Sequence, residues 1–222
     1  MIELYSWATP DSHQVHILLE ECGLPYRVHP VDPGAGAQFQ PQFLAISPAG
    51  QVPALIDPRG PDGQPISLCG SGAILVYLAV KAARFLPGDG RGKYEVLQWL
   101  LFQLASLGPL QVQGQVQGQP LRVHASPQMP TAIEGRSSEA KRLYGVLDQR
   151  LAQSGYIGGA EYTIADIAVY PGLRSCQEGG IDGSEHPRLR AWFDEISARP
   201  AVQRGCAVLA DLHAQRPHLT AA

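Results

Sequence analysis

Four cysteines stand at Cys22, Cys69, Cys176 and Cys206, with no CxxC pair and no Cys/His grouping at metal-ligand spacing. No metal is therefore expected, and no dithiol of the chain's own. Thr9 stands just ahead of the first helix pattern, where it is an N-terminal cap or turn residue, or where its hydroxyl and backbone amides converge on an anion. Asp11 follows two residues later. It suits a helix cap, opposes a nearby negative charge, and can alternatively act as a base. Ser71 opens a second helix pattern, with a hydroxyl and amides at the positive end of a helix dipole. Cys69 lies two residues before it, where it is a small core filler or a partner for a mixed disulfide. Thr163-Ile-Ala-Asp166 has the form of a capping box and reads as structural.

The elements that must position these residues are legible in the pattern. Ile2 to Tyr5 reads as a strand, and a helix carrying Val15, Leu18 and Leu19 follows with Asp11 or Ser12 as its cap. Gly23 closes that helix, and Tyr26 to Val31 alternates as a second strand, giving a βαβ unit with parallel pairing. A loop from Pro33 to Pro41 leads to Pro53-Ala-Leu-Ile-Asp57. A Pro/Gly turn (58–63) separates that run from Pro65-Ile-Ser-Leu68, which predicts a hairpin. From Ser71 a helix runs to about Arg84, and Pro87-Gly88-Asp89-Gly90 marks a boundary. Beyond it the pattern predicts only helices, at 93–107, 136–151, 164–176, 188–198 and 201–213. The fold class expected is α/β plus all-α, with residues 1–86 forming a βαβ-ββα domain and 91–222 a helical domain. Gln111-Val-Gln-Gly-Gln-Val-Gln-Gly-Gln119 repeats a four-residue unit and reads as a glycine-softened helix, a loop or a pocket wall.

At 222 residues and 45% apolar content the chain can bury a core without staples. A net charge of -3 with 17% charged residues provides no basic stripe for nucleic acid or an anionic membrane surface. No apolar run approaches the roughly 20 residues that span a bilayer, and the N-terminus enters a strand at once. A soluble cytoplasmic protein is expected.

Several segments together resemble the glutathione transferases, and within them the nu-class bacterial enzymes and their disulfide-bond reductase relatives. They are Met1-Ile-Glu-Leu-Tyr5, Thr9-Pro10-Asp11, Leu18-Leu-Glu-Glu-Cys-Gly-Leu-Pro-Tyr26, Gln38-Phe39, Phe43-Leu-Ala-Ile-Ser-Pro48, Gln51-Val-Pro-Ala-Leu55 and Ser67-Leu-Cys-Gly-Ser-Gly-Ala-Ile-Leu-Val-Tyr-Leu78. In the helical half Lys141-Arg-Leu-Tyr-Gly-Val-Leu147 and Tyr162-Thr-Ile-Ala-Asp-Ile167 continue the match. The resemblance implies a thioredoxin-like first domain, a helical second domain, a homodimer, and glutathione as cosubstrate. It implies that Thr9 and Asp11 face the reacting sulfur, and that Gln38, Gln51, Val52, Pro53, Gly70, Ser71 and Arg136 hold the tripeptide. Pro53 takes the place of the family's cis-proline. The other substrate would be a small electrophile or disulfide.

Three positions depart from the family pattern. Asp11 replaces an asparagine that can donate to a thiolate. Gly70 replaces the acidic residue that holds the γ-glutamyl ammonium, a loss of roughly 1.5 to 3 kcal/mol of binding. Gly135 replaces an arginine that reaches the partner subunit's glutathione, and Arg136 lies one position, roughly 100° of helix, further on. These departures motivate an alternative, a biosynthetic isomerase or cyclase acting on another ligand, or a noncatalytic binding protein. Tyr5 and Trp7 flank the cleft in sequence, with burial the expected fate of Tyr5.

Overall fold

The computed structural model describes residues 1–88, 90–110, 129–175 and 183–210, with the side chains of 129–137 and 175 outside the description. It divides into two compact units. Of the described residues, the first comprises 1–88 and 198–210, and the second those between 90 and 197.

In the first unit β1 (Ile2–Ser6) buries Ile2, Leu4 and Ser6 and turns Glu3 and Tyr5 to the other face, the two-residue period of a half-covered strand. The helix α1 (Pro10–Cys22) follows and ends at Gly23, whose φ of 64° sends its N–H back to Glu20. Then β2 (Tyr26–Pro30) pairs in parallel with β1, from Ile2 opposite Tyr26 to Ser6 opposite Pro30. The loop expected from Pro33 contains two short 3-10 turns and a single-turn helix, α2 (Pro41–Leu44). β3 (Ala54–Asp57) and β4 (Ile66–Cys69) make the hairpin, and the sheet order is β2-β1-β3-β4 with β3 antiparallel to both neighbours.

The helix α3 (Ser71–Ala82) carries Ile74, Leu75 and Leu78 against the sheet, where they join fully buried Leu4, Val15, Leu18, Leu19 and Leu55. Each such side chain contributes about 1.5–3 kcal/mol of burial. Buried Asp57, at the end of β3, ties the strand to α3. It accepts hydrogen bonds from Tyr77 Oη at 2.7 Å and the Arg59 N–H at 2.9 Å, and pairs with Lys81 Nζ at 2.9 Å. Burial pushes this carboxyl up, but these three partners outweigh it and hold the pKa below the ordinary aspartate value.

The expectation placed every residue from 91 onward in the helical half. In the structure the last described helix, α8 (Pro200–Ala207), packs on α1 in the first unit. Gly205 permits this, since a Cβ there would stand 2.7 Å from the Ile17 backbone. Arg199 pairs with Glu21 through two bonds of 2.7 and 3.0 Å, and Arg204 Nε reaches Glu20 at 2.7 Å.

The second unit is helical: α4 (Gly90–Phe102), continued by a π turn at Gln103–Leu107, then α5 (Met129–Gln153), α6 (Ile164–Ser175) and α7 (Pro187–Ser197). Val96, Leu100, Leu143, Leu147, Ile164, Ile167, Trp192 and Ile196 are buried in its core. The capping box forms at the start of α6. Asp166, fully buried, accepts hydrogen bonds from the Thr163 N–H (3.0 Å), Thr163 Oγ1 (3.1 Å), the Ile157 N–H (2.8 Å) and Trp192 Nε1 (3.0 Å). The repeat at 111–119 lies outside the described residues. Among the described residues no helix is long and apolar enough to cross a membrane.

Candidate functional site

The register of the sheet brings the candidate residues to one edge. Tyr5 of β1 lies opposite Ala54 of β3, and Ala54 lies opposite Cys69 of β4, so these three residues form a row across the sheet. Beyond that row β1 runs on to Thr9, β3 is entered through Val52-Pro53, and β4 leaves through Gly70-Ser71. Hence the N-termini of α1 and α3 open at the same edge. Both present the positive end of a helix dipole, an arrangement that favours anions.

Thr9 is the N-cap of α1, with extended φ and ψ and its Oγ1 accepting from the Ser12 N–H at 3.3 Å. Of the caps the sequence offered, Thr9 takes the role and Asp11 and Ser12 do not. Pro10 occupies the first helical position, where a missing N–H is not needed, and this leaves Thr9 to cap. Asp11 is half-buried in the first turn. Burial pushes its carboxyl up, partly offset by Gln14 Nε2 donating to Oδ1 at 3.2 Å.

The Val52–Pro53 peptide is cis, and Pro53 is buried. Strand pairing begins only at Ala54, which leaves the Val52 backbone outside the ladder. The carbonyl of Pro53 instead accepts from the Gly70 N–H at 3.1 Å, binding the entrance of β3 to the start of α3. Gly70 has φ 86° and ψ 128°, a conformation that residues with side chains rarely adopt, and a Cβ built on it meets no atom within 4 Å. Ser71 is buried at the head of α3.

Gln51 is exposed in side chain, while its backbone N–H and C=O are both held by Ser47 Oγ, at 3.2 and 2.9 Å. Gln38 lies on the 3-10 turn at Ala37–Phe39, and its Oε1 is buried without a hydrogen-bond partner among the described residues. Positive-φ Gly50 lets this turn close on the Val52 segment, since a Cβ at Gly50 would come within 3.2 Å of the Gln38 carbonyl. The structure therefore brings Thr9, Asp11, Val52, Pro53, Gly70 and Ser71 to one sheet edge, with Gln38 and Gln51 on the loop that closes upon it. Arg136 lies on α5 in the second unit, and its side chain is outside the described residues.

Cys69 is exposed with a free thiol. Tyr5 is half-buried, stacked on His29 at 4.6 Å and tilted against Phe43. Of the polar residues behind Thr9, the sequence offered Ser12 only as a helix cap and did not single out Ser6 or His16. Ser12 is fully buried and receives the Thr9 hydroxyl at 3.1 Å and the Trp7 N–H at 3.4 Å. Ser6 Oγ meets His16 Nε2 at 2.9 Å, both fully buried, and burial pushes His16 down to about 3, so the ring is neutral. The available signal was a serine three positions after a Thr-Pro cap, the position whose N–H a cap side chain takes.

A mixed four-stranded sheet with a cis-proline at the cleft edge, in a chain that continues into a helical unit, defines a thioredoxin-like domain joined to a helical one. The chain belongs to the glutathione S-transferase family: its residues 9–81 match the family's N-terminal domain and 123–200 its C-terminal domain. It is 43% identical over 204 residues to the disulfide-bond oxidoreductase YfcG of Escherichia coli K12, covering 91% of this chain and 93% of that one. It is 36% identical to YghU, another disulfide-bond oxidoreductase of the same organism, covering 92% and 73% of the two chains. A glutathione transferase family member from Pseudomonas fluorescens, solved with two glutathione molecules bound, superposes with a TM-score of 0.85 at 40% identity and 92% coverage of both chains. One from Pseudomonas putida, with glutathione disulfide bound, gives 0.85 at 35% identity, covering 93% and 91%.

Proposed function

We propose that the protein is a cytoplasmic, homodimeric, glutathione-dependent enzyme whose bound thiolate attacks a disulfide or an electrophilic carbon. The observation that carries this is the meeting of Thr9, the cis-Val52–Pro53 entrance and Ser71 at one sheet edge, where two helix N-termini open. Thr9 donates its hydroxyl proton to the sulfur. The Val52 backbone pairs with the extended tripeptide, Gln38 and Gln51 flank it, and Ser71 with the first amides of α3 receives the γ-glutamyl carboxylate. Arg136 reaches the glutathione of the partner subunit only if a one-residue shift of the helix compensates for Gly135.

In the disulfide reaction the thiolate attacks one sulfur of the substrate, forming a mixed disulfide and expelling a thiolate. A second glutathione thiolate then attacks the mixed disulfide, yielding glutathione disulfide and the second reduced product. Electrons come entirely from two glutathiones, which agrees with a sequence that has no CxxC. Glutathione pairs or glutathione disulfide bound in the two Pseudomonas relatives support this chemistry over simple transfer. A second reading is favoured by Gly70 alone: a site without a carboxylate at the head of α3 accepts a related thiol lacking a free amine.

Calorimetric titration with glutathione and with glutathione disulfide, paired with turnover of a small dialkyl disulfide, tests the proposal. Wild type should bind both on the order of micromolar to low millimolar. Thr9→Val should keep binding within a few-fold and lose roughly 10- to 100-fold in turnover. Absence of binding and turnover in the wild type would sink the reading.

A further inference from the structure

We infer that Ser12 is a positioning residue for the reacting sulfur, its hydroxyl and that of Thr9 forming a two-member relay that reverses direction when the bound thiol becomes a thiolate. This rests on the glutathione-dependent reading above. The geometry is local. The Thr9 and Ser12 oxygens are 3.1 Å apart, the Trp7 N–H donates to Ser12 Oγ at 3.4 Å, and the Ser12 backbone N–H donates to Thr9 Oγ1 at 3.3 Å. Ser12 is fully buried, so no bulk water competes for its hydroxyl.

Thr9 has one proton to give. While that proton lies on Ser12, the Thr9 oxygen can only accept, which suits a neutral thiol S–H. A thiolate is an acceptor and needs the proton turned towards it. Ser12 resolves the conflict because a hydroxyl pair can run either way on the same heavy-atom positions. As the thiol proton leaves to water, Thr9 turns its O–H to the sulfur and Ser12 turns its own O–H to Thr9. The result is a chain from the Trp7 N–H through Ser12 and Thr9 to the sulfur, in which each bond polarises the next in a water-poor setting. No side chain changes rotamer and no backbone group moves. The neutral form gains less from Ser12, since half-buried Thr9 can direct its proton to solvent instead.

The test is the pKa of bound glutathione, read from thiolate ultraviolet absorbance against pH in a Ser12→Ala, Thr9→Val double-mutant cycle. Ser12→Ala removes a single oxygen and keeps the backbone N–H that Thr9 caps. It should raise the bound-thiol pKa by roughly 0.2 to 0.7 units, with little change in glutathione affinity below the bound pKa, where the thiol is protonated. In a Thr9→Val background the same substitution should leave the pKa unmoved, because its effect passes through the Thr9 hydroxyl. An unchanged pKa in Ser12→Ala overturns the relay, as does an equal shift in both backgrounds. Lack of glutathione binding by wild type in calorimetry defeats the functional reading itself, and is thereby distinguished from a relay failure in a protein that binds.

Discussion

Gly70→Glu separates two quantities that usually move together, fold stability and ligand affinity. The structure fixes the cost. At φ 86° and ψ 128° any L-residue is strained, while a Cβ meets nothing within 4 Å. The penalty is therefore conformational and not steric, about 1–3 kcal/mol, which in a chain of this size lowers Tm by roughly 2–12 °C. The gain is a carboxylate at the head of α3, adjacent to Ser71, where it can take the γ-glutamyl ammonium for about 1.5–3 kcal/mol. That corresponds to roughly 10- to 150-fold tighter glutathione. Calorimetric titration and thermal unfolding on wild type, Gly70→Glu and Gly70→Ala provide the assay. The alanine variant should show the strain without the affinity. If Gly70→Glu melts lower yet binds glutathione no better than Gly70→Ala, the γ-glutamyl end does not lie at the head of α3 and the orientation assigned to the tripeptide is wrong.

Asp166→Ala should cost about 3–5 kcal/mol, since it strands four buried donors at once, and lower Tm by roughly 6–20 °C in a thermal melt. Asp57 has a folded pKa held below its unfolded value of about 3.9, so its contribution is present above that pH and fades as pH falls through the folded pKa. The stability gap between wild type and Asp57→Asn, about 1.5–3 kcal/mol by denaturant unfolding near neutrality, should therefore shrink on acidification; a gap that widens would contradict the assignment. Gly205→Val forces a side chain into the Ile17 backbone at 2.7 Å and should cost about 1–3 kcal/mol, with faster amide exchange in α1 as the local readout.

The order of elements was legible because each carries its own period and punctuation: alternation in Ile2 to Ser6, Gly23 as a left-handed stop, a Pro/Gly turn before β4. Strand ends shifted by only a residue, as at Val31 and Cys69. Less legible was anything set by contacts between distant segments. The choice of Thr9 over Asp11 as helix cap is a local exception, set by Pro10 beside it and not by the apolar pattern. Gly205 looks like a helix-weakening glycine in sequence, and only the approach of α8 to Ile17 shows why the position excludes a side chain. The site divides the same way. The family motifs pointed to Thr9, Val52 and Ser71, whereas Ser12 and Ser47 act through hydrogen bonds whose partners become neighbours only after the chain has turned.

The return of α8 to α1 also has a consequence for biosynthesis. The thioredoxin-like unit is discontinuous in sequence: Ala207, the last residue of α8, lies 185 positions after Cys22, the last residue of α1. At typical elongation rates of about 5–20 residues per second, α1 waits roughly 9–37 s on the ribosome for the helix that covers it. Throughout that interval the Ile17 surface is open to nascent-chain contacts, and a newly made first unit completes its packing only after the helices of the second unit have been made.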